Sequence, residues 1–164
     1  MKHKLLIEYD GTNYCGWQRQ DKSPSIQGSI ESAIKKFCGN KITVHGAGRT
    51  DAGVHASGQV AHISLEKKYD DKTIMQAINF YLKDEPISIL AVTKVEEDFD
   101  ARFSAIKRYY RYKIINRQSP LTYDLNKFCH INIPLDLDNM EKSIKSFVGK
   151  HDFTTFRSSS CQSK

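Results

Sequence analysis

The chain lacks any long apolar run. Leu5, Leu6 and Ile7 open an apolar stretch at the amino end, but Glu8 and Asp10 close it before a signal-peptide core or a membrane span could form. The four cysteines, Cys15, Cys38, Cys129 and Cys161, are widely spaced with no Cys-x-x-Cys pair. That spacing argues against a zinc knuckle and a dense disulfide framework. Reduced thiols and the missing leader pattern set cytoplasmic residence, away from membranes, as the expectation. No glycine-rich stretch ends in Gly-Lys-Ser/Thr, and there is no dinucleotide fingerprint and no metal-ligand spacing.

What is present is the composition of a folded domain: 164 residues, 39% hydrophobic and 27% charged, enough for one small domain and part of a second. The formal net charge of +6 and the pI near 9.1 favour an anionic partner. Acidic residues are absent from 102–117, where Lys107, Arg108, Arg111 and Lys113 alternate with Tyr109, Tyr110 and Tyr112. Cations for phosphates and aromatic faces for bases are the two components of a single-strand nucleic-acid surface. A solvated basic strand has the same composition.

Hydrophobic spacing predicts the element order. Residues 4–9 read as a strand, and Pro24 and Ser25 introduce a helix with Ile26, Ile30, Ala33, Ile34 and Phe37 on one face, stopped by Gly39 and Asn40. Strands are expected over 42–44 and 59–65, bracketing a glycine-rich loop. A second helix carries Ile74, Ala77, Ile78, Tyr81 and Leu82, and Pro86 opens an alternating strand from Ile87 to Val95. This βαββαβ order is the ferredoxin-like α+β unit, with two helices on one face of an antiparallel sheet. The first domain is expected over 1–98 and an incomplete second α+β domain over 99–164. The second is expected to begin with a long strand over 102–115 and to include a helix capped by Asp138 that carries Met140, Ile144, Phe147 and Val148.

The sharpest chemical signal is Gly48-Arg49-Thr50-Asp51-Ala52-Gly53-Val54-His55-Ala56, preceded by Gly46. It sets a carboxylate in backbone that glycines make permissible. An aspartate is ionised at neutral pH, so it can attack or take a proton without a separate activating base. Arg49 could orient it by pairing. An aspartate in such a loop can also do no more than cap a turn.

The literal string resembles the nucleophile motif of the TruA-type tRNA pseudouridine synthases. Further stretches resemble the same family: Tyr9-Asp10-Gly11, Gly16-Trp17-Gln18-Arg19-Gln20, Ser25-Ile26-Gln27, Asp100-Ala101-Arg102-Phe103-Ser104-Ala105, Arg108-Tyr109-Tyr110-Arg111-Tyr112, and His151-Asp152-Phe153-Thr154-Thr155-Phe156-Arg157 with Cys161-Gln162-Ser163. They cover the chain from end to end and occur in family order.

The resemblance implies the pseudouridine synthase fold and an isomerase that converts uridine to pseudouridine at positions 38, 39 and 40 of the tRNA anticodon arm, without a cofactor. It assigns Asp51 as nucleophile, Arg49 as its basic partner and Tyr110 as the tyrosine stacked on the target base. A strand tyrosine is otherwise most often a core residue. In an unbroken strand Arg108 and Tyr112 would share the face of Tyr110, with Tyr109 opposite. Arg19, Gln20, His55, Arg102, Arg108, Arg111 and Arg157 are the remaining expected tRNA contacts, while His45 and His62 are expected to be structural or RNA-contacting. Family members are homodimers, and longer. Their later strands complete the pocket, so a second expectation is a non-catalytic RNA-binding remnant. A third, an unrelated hydrolase of a nucleoside bond, would leave the basic aromatic stretch unexplained.

Overall fold

The computed structural model describes residues 1–156. The chain divides into two compact units, the first being Met1–Tyr112 and the second beginning at Lys113. The contact-based division therefore places residues 99–112 with the first unit.

In the first unit β1 (Lys2–Tyr9), α1 (Ile26–Cys38), β2 (His45–Gly46), β3 (Ala56–Ser64), α2 (Asp71–Tyr81) and β4 (Ile87–Val95) follow one another in βαββαβ order. The sheet order is β2-β3-β1-β4, and every pairing is antiparallel. The alternation of β1 explains its two faces. Leu5 and Ile7 are fully buried with Ala61 and Ile63 of β3, Ile89 of β4 and the helix residues Ile26, Ile30, Ile34, Ile74 and Ile78. Each such side chain contributes roughly 1.5–3 kcal/mol on leaving water. Lys4 and Leu6 project from the opposite face.

The helix ends follow their residues. Ser25 caps α1 by accepting the Gly28 amide, and Gly39 ends it in the left-handed region, its amide donating to the Lys35 carbonyl. Asp70 caps α2 through the Thr73 amide at 2.9 Å. The strand expected over 42–44 is displaced. Regular pairing occurs at His45–Gly46, because Val44 is drawn inward: its amide donates to Glu31 Oε1 at 3.0 Å and its carbonyl accepts from Gln27.

The long strand expected over 102–115 does not form. Residues 105–113 have no regular structure, and only β5 (Ile114–Asn116) is a strand. Asp100 turns the chain beforehand by accepting the amides of Arg102 and Phe103. An amide and carbonyl row becomes a strand only with a neighbour to pair with, and among the described residues no strand pairs with 105–112. The face-sharing inferred for Arg108, Tyr110 and Tyr112 from an unbroken strand therefore does not hold.

In the second unit β5 pairs in parallel with β6 (Cys129–Ile131). Asn116 ties the pair to the segment after β6, donating to the Ile131 and Ile133 carbonyls and accepting from the Leu135 amide. A helix, α3 (Leu137–Ile144), runs on into a short 3-10 turn. Its cap is Asp136, which accepts the Asn139 amide at 2.9 Å; Asp138 lies in the first turn instead. No helix among the described residues is long and apolar enough to cross a membrane.

Candidate active site

The loop between β2 and β3 is held from beneath by residues of the preceding β1–α1 connection. The Trp17 amide donates to the Thr50 carbonyl at 2.9 Å, and the Thr50 hydroxyl meets the Tyr9 phenol at 2.9 Å. The Gly53 amide reaches the Tyr14 carbonyl, and Val54 closes a turn on the Asp51 carbonyl at 3.2 Å. Two glycines make this close approach possible. A Cβ on Gly16, whose φ is +111°, would lie 2.5 Å from the Thr50 carbonyl oxygen, and one on Gly11 would lie 2.1 Å from that of Val54. Trp17 and Tyr9 are buried, their ring centroids 6.0 Å apart, so the residue preceding Asp51 is anchored by both backbone and side chain.

Asp51 itself is exposed. Among the described residues its carboxylate has no ion pair, and Arg49, also exposed, does not pair with it. The local arrangement thus presents an accessible carboxylate on fixed backbone, the combination a nucleophile needs. On the floor of the site burial raises the Tyr9 phenol pKa, against the hydrogen bond with Thr50, and the neighbouring Tyr110 phenol adds to the rise. Tyr110 is 79% exposed, not a core aromatic.

The expected basic contacts separate by their partners. Arg108, though exposed, is bonded to backbone: Nη2 donates to the Ala47 carbonyl at 2.8 Å and to the Arg102 carbonyl at 3.0 Å, with Nε also on Ala47. Arg19 pairs with Glu31 at 2.7 Å. Glu31 also accepts from Gln27 and Val44, and Gln27 in turn accepts from Gln18 and the Arg19 amide. That buried network fastens the tryptophan-bearing connection to α1. Arg102 lies over the Phe103 ring, 5.6 Å from its centroid, while Gln20 and Arg111 are exposed. His55 Nδ1 lies 3.2 Å from the Gly11 amide and 3.1 Å from Asp10 Oδ1. Arg157 falls outside the described residues.

The supporting residues Tyr9, Gly11, Gly16, Trp17 and Thr50 carry no chemical signature of their own. The clue to them in sequence was the density of glycine and aromatic residues over 9–17. Among the described residues no group of three or more His, Cys, Asp or Glu is arranged to hold a metal ion.

Fold and loop together define the class: a ferredoxin-like α+β domain of the pseudouridine synthase fold, with an aspartate loop between β2 and β3. Residues 5–104 match the family described as tRNA pseudouridine synthase. The chain is 52% identical over 163 residues to tRNA pseudouridine synthase A of Afipia carboxidovorans, covering 99% of this chain and 66% of that one. It is 48% identical to the protein of the same name from Paramagnetospirillum magneticum, covering 99% and 64%, and 49% identical to that of Anaplasma phagocytophilum, covering 100% and 68%. The chain belongs to the tRNA pseudouridine synthase family. It spans about two thirds of the length of these relatives.

Proposed function

We propose that this protein acts on tRNA, isomerising uridine to pseudouridine at positions 38, 39 and 40 of the anticodon arm, with Asp51 as the nucleophile. The observation that carries the reading is an exposed Asp51 carboxylate on a loop pinned at Thr50 by Tyr9 and Trp17. The homodimer belongs to the same reading and rests on family resemblance; the cytoplasmic location rests on the cysteine spacing.

The reaction breaks the bond between ribose C1′ and base N1, turns the base, and joins C1′ to C5. N1 gains a proton and C5 loses one, so there is no net change in composition and no oxidant is needed. A paired or stacked uridine must first leave the helix, at a cost of a few kcal/mol. Stacking on Tyr110 returns about 1–3 kcal/mol. Asp51 then acts as the ionised carboxylate at the reacting nucleoside, while Arg49, Arg111 and Arg102 contact phosphates, which position the RNA without reading its sequence. Arg108 and Arg19, already committed to internal partners, support the loop and its neighbours.

The test is tritium release from tRNA labelled at uridine C5, because rejoining at C5 expels that hydrogen. Release by this chain that vanishes in Asp51→Asn, with tRNA binding retained, supports the assignment. Residual turnover in the purified variant would sink Asp51 as nucleophile. Free uracil in place of pseudouridine would mean hydrolysis and overturn the isomerase reading.

A further inference from the structure

The segment after β4 returns across the sheet face that the helices do not cover, and one histidine holds it there. His62 in β3 is buried, and its Nδ1 accepts the Ala101 amide at 3.0 Å. Ala101 is itself 2% exposed, so water cannot replace that partner. The His45 ring stacks on His62 with centroids 4.9 Å apart and planes 15° from parallel, and Phe99 closes edge-on at 6.1 Å. Lys2 reinforces the crossing by donating to the Glu97 carbonyl and, at 2.9 Å, to that of Phe99. Beyond Ala101 the same segment carries Arg108, bonded to Ala47 beside the aspartate loop, and Tyr110.

We propose that His62 is a positioning residue for the reaction, its unprotonated Nδ1 latching Ala101 so that the segment carrying Arg108 and Tyr110 is held along the sheet, with Arg108 on Ala47 at the start of the aspartate loop. The proposal rests on the function assigned above to Tyr110. The bond requires a lone pair on Nδ1, so protonation opens the latch. The charged and titratable groups around the ring are His45 from β2, Lys2 and the register partner Lys4 from β1, and Asp100 from the segment itself. Burial foremost, then His45, lowers the His62 pKa below its ordinary value, with Lys2 in the same direction and Asp100 opposing. The latch is closed at neutral pH and opens on acidification.

Amide hydrogen exchange on the 164-residue chain tests the latch without requiring turnover. The amide side chain introduced by His62→Asn offers an acceptor the same number of bonds from Cβ and cannot titrate, whereas His62→Phe fills the space and offers none. Expressed as protection factors at about pH 7.5, residues 99–104 should exchange within about 3-fold of wild type in His62→Asn and at least about 10-fold faster in His62→Phe, with β1 and α1 unchanged. Unchanged protection of 99–104 in His62→Phe would overturn the proposal. If His62→Phe does not fold, acidification decides: protection of 99–104 should fall in wild type and not in His62→Asn, and an equal response in both would refute the latch. In tritium release, folded His62→Phe should lose roughly 10- to 100-fold in kcat with little change in KM for tRNA, because the misplaced group acts on the reacting base. His62→Asn should recover most of it. Wild-type protein that gives no Asp51-dependent release would count against the function, and the exchange results would still decide the latch.

Discussion

Helices α1 and α3 have similar one-sided apolar patterns and opposite fates. In α1 the residues Ile26, Ile30 and Ile34 are fully buried against the sheet and α2, whereas in α3 no residue is buried and Leu137, Met140 and Ile144 remain exposed. Periodicity specifies which face of a helix can be buried, but burial needs an opposing apolar surface. The first unit supplies four strands; the second, among its described residues, supplies a parallel pair of three-residue strands. Packing against a partner, not helix propensity, accounts for most helix stability in proteins.

The contrast should appear first in the core. Ile34→Ala is expected to cost about 2–5 kcal/mol by leaving a cavity, seen as a lower urea midpoint for the first unit; a loss below about 1 kcal/mol would mean that α1 is no better anchored than α3. Glu31→Ala should follow, at about 2–3 kcal/mol, because the Val44 amide and the Gln27 side chain lose a buried acceptor. The accompanying test is increased proteolysis of 11–20.

Gly16→Ala should cost about 1–3 kcal/mol, since both its backbone angle and the Thr50 carbonyl oppose a methyl group there. It should lower tritium release by more than its melting shift accounts for at the assay temperature. A pH effect comes next. The His62 pKa is lowered in the folded protein, so the unfolded chain takes up this proton first as pH falls. The stability contribution is complete above the ordinary histidine value of 6.5 and is lost as pH drops from there toward the folded value. Urea midpoints at about pH 7.5 and about pH 5.5 should differ more in wild type than in His62→Asn. The smallest effect belongs to α3, where Ile144→Ala should change stability by less than about 0.5 kcal/mol. A larger loss would reveal a packed environment for α3.

Much of this was legible in the residues. The βαββαβ order, the capping role of Ser25, the Gly39 stop and the apolar faces of α1 and α2 follow from local chemistry and periodicity, and they are present. The Asp51 loop was legible because glycine spacing and a long literal match occur together. The continuous strand through 102–115 was the main misreading: alternation of basic and aromatic residues mimics a strand, but Asp100 accepts the Arg102 and Phe103 amides and Arg108 takes the Arg102 carbonyl. The position of the α3 cap was missed for a smaller reason, since Asp136 and Asp138 are equally good caps in isolation and the Asn139 amide selects the first.

The sequence by itself determined the family and the order of elements in the first unit, because these depend on residue type and on neighbours close along the chain. Tertiary structure alone decided which basic residues have partners within the protein, that Thr50 is pinned by Tyr9 and Trp17, and that His62 receives the Ala101 amide. These are contacts between residues far apart along the chain, and a buried donor takes whichever acceptor the folded backbone brings to it. No local pattern encodes that choice.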